Sequence, residues 1–270
     1  MSGYGRARRL RDQLSERDLA ILGCLREYHR MSGAQLRRLH FPNGHQVTQA
    51  RKTRATLKRL AELRLLVRLS RRVGGLHAGS EGHVIGLSGL GHAVLDVGID
   101  HPRRHRRVTD TKPAFQSHAL AVSELAVALH ERERAGDCTI DELRAEPGCW
   151  RRFSGLGAGQ RILKPDLFVR LSVGEFEQRA FIEVDQATES GSTIARKLGV
   201  YVDYWRSGQE QHHHGVFPRV WWLVPNADRL KKISGAIHRA PNEAHTLFTV
   251  VLTEGAADLL TQLPKTGGAS

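Results

Sequence analysis

The chain of 270 residues is poor in cysteine, with only three, and poor in aromatics, at 6%. Cys24, Cys138 and Cys149 are widely spaced, odd in number and form no CxxC pair. That pattern argues against a disulfide framework and against a zinc site, and it suits a reducing cytoplasm. No apolar run reaches the roughly 18 residues of a membrane-spanning helix. The first residues, MSGYGRARRLRDQLSERD, have basic side chains but no apolar stretch behind them. They do not read as a secretory signal. Acidic residues are also scarce: 41 Lys and Arg stand against 28 Asp and Glu.

The distribution of that surplus says more than its size. Residues 1–110 hold 22 basic and 9 acidic residues, an excess of 13 that equals the net charge of the whole chain. The remaining 160 residues are balanced. A one-sided excess is what a polyanion-binding module needs, because phosphate neutralisation supplies most non-specific affinity. An arginine-rich genome would have charged both halves alike. The predicted partner is double-stranded DNA, and no membrane is implicated.

Residues 1–14 are Arg-rich without an apolar period and read as a mobile basic arm. Ser15, with Asp18 three residues on, predicts a capped helix to Tyr28. Ser32 caps a short second helix, and Phe41-Pro42-Asn43-Gly44 marks a turn. A third helix is expected from Gln46 to Leu63, with Val47, Ala50, Leu57, Leu60 and Ala61 inward. Two β-like runs, Leu66–Ser70 and His83–Leu87, flank a basic, glycine-rich tip carrying Arg71 and Arg72. The junction Leu87-Ser88-x-x-Gly91 leads into another helix.

Helix-turn-helix, hairpin and closing helix over residues 15–100 resemble a winged helix-turn-helix. In that geometry the third helix enters the major groove and the wing follows the backbone. Gln46, Thr48, Gln49 and Thr53 are the candidate base readers, and Arg51, Lys52, Arg54, Lys58, Arg59, Arg71 and Arg72 the candidate phosphate contacts. A helical dimerisation bundle is the competing reading. Residues 101–112, HPRRHRRVTDTK, form a polar connector, and a second domain is expected over 113–270.

That second domain starts with an apolar helix around His118–Glu131, with Glu124 in its middle. Thr139–Arg144, Leu163–Val169 and Arg179–Gln186 read as strands, with Glu175–Glu177 in or near the return of the hairpin. A helix through Thr193–Tyr204, the strand VWWLV at 220–224, a helix over 227–239 and a strand at 247–252 complete an αβββαβαβ order. Alternation places Glu183 and Asp185 on one face of an otherwise apolar strand. Buried carboxylates are costly unless paired or metal-bound. His212-His213-His214 sits in a Gly- and Gln-rich stretch and reads as solvated, and Trp221 and Trp222 read as core. The glycines of 155–159 do not lie between a strand and a helix, so they are no dinucleotide loop.

Pro165-Asp166 on one strand and Glu183 on the next, in this order of elements, resemble the PD-(D/E)xK nuclease superfamily. The resemblance implies an α/β domain in which Asp166, Glu183 and Asp185 hold Mg²⁺ or Mn²⁺, and in which a lysine completes the site. Asp185 stands where the superfamily usually has that lysine. Lys197 is the candidate replacement, four residues before Tyr201, and Glu124 matches an acid that some members add on a helix. Hard cations of this kind take oxygen ligands from one or two carboxylates, with water and phosphate supplying the rest.

The winged helix followed by PD…EVDQATES…K…Y resembles the replication-relaxation family of actinobacterial plasmids and mobile elements, over roughly residues 15–255. The resemblance implies a DNA-binding protein of plasmid replication or relaxation, with a metal-dependent DNA nickase or endonuclease as its sharper form. A non-enzymatic regulator, whose second domain mediates dimers or partner contacts, is the alternative. Homodimers and replication or conjugation proteins are the further partners implied.

Overall fold

The computed structural model describes residues 3–69, 83–100, 113–155 and 159–263. They form a mixed α/β structure that divides into two compact units, 1–127 and 128–270. Arg71, Arg72, the rest of the glycine-rich tip and the connector 101–112 lie outside the described residues.

The first unit contains α1 (Gly3–Gln13), α2 (Glu16–Tyr28), β1 (Arg30–Ser32), α3 (Gly33–His40), α4 (Gln46–Glu62), β2 (Leu66–Leu69), β3 (Val84–Leu87) and α5 (Gly89–Leu95). The 23-residue α6 (Pro113–Ala135) begins here and crosses into the second unit. Both expected caps form as full capping boxes: Ser15 with Asp18 opens α2, and Ser32 with Gln35 opens α3. Each satisfies two orphan N–H groups, worth about 1 kcal/mol per cap. The three strands pair antiparallel in the order β1-β3-β2, with Ile85 opposite both Met31 and Arg68. Ile21, Leu22, Leu25, Met31, Leu36, Leu57, Leu60, Leu87 and Val94 fill the core between helices and sheet.

The β3–α5 junction explains its own sequence. Ser88 accepts from the Gly91 N–H at 3.0 Å and donates its hydroxyl to the Arg64 carbonyl at 2.6 Å. A Cβ on Gly91 would stand 2.4 Å from Leu87 Cδ1 and 2.5 Å from the Leu65 carbonyl oxygen. Only glycine fits where α5 is drawn this close to the end of α4.

Two sequence expectations change in this unit. The basic arm is ordered helix: Ala7 on α1 is fully buried, and Arg11 donates to the Val94 and Leu95 carbonyls at the C-terminal end of α5. A cation satisfying those last carbonyls is a stabilising arrangement. Ala7 is the one fully buried apolar side chain among the described residues of α1, so no apolar period was visible. The division between units also falls inside α6 rather than at the connector. Ser123 donates to the Arg30 carbonyl at 2.8 Å, Gln35 donates to the Leu120 carbonyl at 2.9 Å, and the Arg30 guanidinium lies over the Phe115 ring. These contacts tie the first half of α6 to the first unit.

The second unit adds β4 (Thr139–Ala145), β5 (Arg151–Ser154), β6 (Gln160–Leu163), β7 (Leu167–Val173), β8 (Phe176–Val184), α7 (Gly191–Arg206), α8 (Gln209–His214), β9 (Arg219–Val224) and α9 (Ala227–Ile237). A 3-10 helix (Asn242–Leu247), β10 (Phe248–Leu252) and α10 (Ala256–Leu260) close it. The main sheet has the order β10-β9-β8-β7-β4. Its β4-β7-β8 side is antiparallel, whereas β8, β9 and β10 run parallel, joined through α7 and α9 as parallel neighbours require. Phe168, Phe181, Val220 and Trp222 pack beneath Ile194, Leu198, Tyr201 and Ile233 of those helices. The core order is the expected αβββαβαβ.

The expected strand Leu163–Val169 is two strands. Leu163 ends β6 and Leu167 begins β7, with Lys164-Pro165-Asp166 between them. Pro165 has no N–H to continue a ladder. β5 and β6 pair only with each other, as a hairpin inserted between β4 and β7. Gly155 and Gly159 close that hairpin, the Gly155 N–H donating to the Gly159 carbonyl. His212, His213 and His214 lie in α8 rather than in a loop.

Candidate functional site

Two features carry chemistry: a carboxylate–lysine cluster in the second unit and the exposed face of α4 in the first.

Asp166 directly precedes β7, and the antiparallel register Leu167↔Ile182 sets it beside Glu183 of β8. The Asp166 N–H donates to the Ile182 carbonyl, and its Oδ2 accepts from the Val184 N–H at 2.7 Å. Glu183 is 2% exposed. Its Oε2 accepts from Lys197 Nζ at 2.9 Å, and its Oε1 from the Tyr201 hydroxyl at 2.7 Å. Lys197 and Tyr201 stand four residues apart on α7 and so share a face. Ser190 caps that helix, accepting from the Thr193 N–H. Lys197 Nζ also lies 2.9 Å from Glu189 Oε1.

The electrostatics follow from burial and from like charge. Burial, and then the Asp166 charge, push the Glu183 carboxyl up to about 7, against the pull of Lys197 and Tyr201. Burial alone would lower the Lys197 ammonium, but Glu183, Asp166 and Glu189 raise it, so it stays charged. Burial and Glu183 push the Tyr201 phenol well above its ordinary range, so it stays a donor. Three carboxylates around one ammonium leave an excess of negative charge, which a divalent cation would neutralise. Asp166 and Glu183 offer it oxygen donors of the required hardness.

The other expected members of the site are placed elsewhere. Asp185 keeps the strand face of Glu183, but its oxygens receive Arg229 Nε at 2.8 Å and a guanidinium nitrogen at 2.6 Å, both residues being buried. It is the partner of a buried bidentate ion pair, and the three-carboxylate set reduces to Asp166 and Glu183. Glu124 belongs to the first unit, where Gln35 and Arg38 take its two oxygens. Among the described residues no three His, Cys, Asp or Glu side chains are grouped to hold a metal. Protein carboxylates would therefore supply two positions, with water and phosphate completing the shell. Glu189 and Arg229 were not singled out from sequence. Glu189 lies in the EVDQATES stretch that carried the resemblance, whereas nothing local marks Arg229 as the partner of a residue 44 positions earlier.

On α4, Gln46, Thr48, Arg51, Lys52 and Arg54 are exposed. Among the described residues Arg51, Lys52 and Arg54 make no ion pair. Val47, expected inward, is 67% exposed in the first turn. The remaining candidates already have structural work. Gln49 donates to the Pro42 and Gly44 carbonyls at 2.9 Å and pins the turn. Thr53 is buried and donates to the Gln49 carbonyl. Lys58 pairs with Glu62 at 3.9 Å. Arg59 lies 2.6 Å from buried Asp18. There, burial would raise the carboxyl, but Arg59 and the Ser15 hydroxyl and N–H hold it below its ordinary value.

Fold and site thus define a two-unit mixed α/β protein that combines a basic helical unit with a sheet-borne carboxylate–lysine cluster. The family model described as Replication-relaxation matches residues 22–220, most of the chain. The chain belongs to the replication-relaxation family, whose name points to replication or relaxation. No curated protein and no solved structure matches it. No helix among the described residues is long and apolar enough to cross a membrane.

Proposed function

We propose that this protein binds double-stranded DNA through its first unit, as a winged helix-turn-helix, and cuts one strand with a PD-(D/E)xK-like centre in its second. The observation that carries the reading is the meeting of Asp166, just before β7, with Glu183 of β8 and Lys197 of α7. Asp166 and Glu183 would hold Mg²⁺ or Mn²⁺. Such an ion lowers the pKa of a bound water and neutralises charge building on the phosphoryl group. Tyr201 and Lys197 fix the Glu183 carboxylate in one orientation. The Lys197 ammonium adds positive charge where the phosphoryl oxygens become more negative. The first unit contributes position: Arg51, Lys52 and Arg54 contact phosphates, and Gln46, Val47 and Thr48 face the groove.

The test is nicking of supercoiled plasmid in Mg²⁺ or Mn²⁺. Asp166→Ala and Glu183→Gln should each abolish nicking and leave DNA affinity unchanged. Nicking that survives both changes removes the centre from the reading. Replacing Arg51, Lys52 and Arg54 together by Ala should weaken binding and flatten its salt dependence by about 3 in log–log slope. Unchanged binding would refute the role of α4.

One observation favours a second reading, a non-enzymatic regulator. Both Glu183 oxygens are already engaged by Lys197 and Tyr201, and Asp185 is closed by Arg229. That reading predicts no nicking by the wild-type protein, no heat of metal binding in calorimetry, and a palindromic footprint from a homodimer.

A further inference from the structure

We infer that the inserted β5–β6 hairpin is a second phosphate-contacting surface, which grips the DNA strand beside the carboxylate–lysine cluster through Arg152 and Lys164. The inference rests on the DNA-binding reading above and extends it to an element outside the core αβββαβαβ order.

Charge comes first. The second half of the chain is neutral, yet the stretch from Pro147 to Pro165 contains Arg151, Arg152, Arg161 and Lys164 and no Asp or Glu. Two of these cations are consumed locally. Arg151 Nε donates to buried Glu210 at 2.8 Å, with its guanidinium over the Phe168 and Phe181 rings. Arg161 pairs with Asp203 of α7. Arg152 and Lys164 are exposed, and among the described residues neither makes an ion pair.

Register then places them on the hairpin. Arg151 opposes Leu163 and Arg152 opposes Ile162. Alternation puts Phe153 and Leu163 on the core-facing side, where both are buried. The opposite side carries Arg152, Ser154, Gln160 and Ile162, and Lys164 follows one residue beyond the end of β6. The Lys164 ammonium lies 4.7 Å from the centre of the half-buried Trp150 ring, a weak cation–π contact at an exposed site. The exposed margin of the hairpin therefore holds two cations and no acid, the charge balance that accepts a phosphodiester backbone.

Location ties the hairpin to the centre. Lys164 is two residues before Asp166. The Cys149 thiol lies 3.0 Å from the Pro165 carbonyl oxygen, and the Glu146 N–H donates to the Asp166 carbonyl. The base of the hairpin is thus fastened to the backbone that presents Asp166. A cluster with excess negative charge repels DNA, and cations at its margin offset that repulsion.

The experiment uses the full chain and a short duplex, with binding measured in EDTA over a salt series. Arg152→Ala with Lys164→Ala should lower the log–log salt slope by about 2, one per phosphate contact. Lys164→Arg should retain the wild-type slope, and the near-UV spectrum should show all variants folded. A wild-type slope in the double alanine variant, with wild-type protein binding DNA normally, overturns this inference and leaves the α4 reading standing. Failure of the wild-type protein to bind duplex DNA at all overturns both.

Discussion

The Asp185–Arg229 pair offers the sharpest measurement, because two incompatible roles for Asp185 predict different losses. Asp185 is 4% exposed and Arg229 5%, and two hydrogen bonds of 2.8 and 2.6 Å join them. Removing either partner strands a charge where water does not reach, which costs about 3–5 kcal/mol. An ordinary domain has roughly 5–15 kcal/mol in total, so one substitution takes about a fifth of its stability at the least. Both Asp185→Asn and Arg229→Met should therefore lower the midpoint of thermal unfolding by roughly 6–20 °C. Asp185→Leu with Arg229→Met should lose much less than the two single losses added, because no unpaired charge remains. All four tryptophans, Trp150, Trp205, Trp221 and Trp222, lie in the second unit. Tryptophan fluorescence in urea thus reports that unit separately. Single-variant losses below about 1 kcal/mol, the average for arbitrary substitutions, would refute the ion-pair argument. They would return Asp185 to the pool of metal ligands.

Three further outcomes are expected. Gly91→Ala should cost about 2–3 kcal/mol, the upper range for overpacking, because one of the atoms in the way is a backbone carbonyl; the helical circular dichroism of the tryptophan-free first unit reads it, and a neutral change would refute the close approach. Arg59→Ala should destabilise that unit by about 1–3 kcal/mol, by leaving the buried Asp18 carboxylate without its main donor; its DNA salt slope should shift less than that of Arg51→Ala, and the reverse order would refute the structural role. In metal-free buffer the second unit should lose stability as pH rises from 4.5 to about 7, because folded Glu183 keeps a proton that the unfolded chain has released. Glu183→Gln should abolish that slope, and an unaltered slope would show that another group carries it.

Much of the first unit was legible because its signals are local. A capping box needs only Ser15 and Asp18, or Ser32 and Gln35, and the Ser88–Gly91 junction is read within four residues. The side-chain roles on α4 were not legible in this way. Its helical period was plain, but Val47 points to solvent while Gln49 and Arg59 are occupied by the preceding turn and by α2. In the second unit the alternating strands and the two α/β crossovers were legible, and the resemblance to PD-(D/E)xK proteins singled out Asp166, Glu183, Lys197 and Tyr201, which the fold brings close together.

Sequence by itself determined the charge asymmetry and the core αβββαβαβ order, because each depends on composition or on periodicity along the chain; the carboxylates and the lysine were singled out by the resemblance to PD-(D/E)xK proteins. Tertiary structure alone decided the partners. Arg229, 44 residues away, closes Asp185; Glu124 serves Arg38 and Gln35; α1 docks on α5; and Arg152 and Lys164 stand on the exposed margin of an inserted hairpin. The physical reason is the same in each case. Whether a charged side chain is a ligand, a strut or a free cation depends on which opposite charge stands within hydrogen-bond reach, and packing fixes that distance.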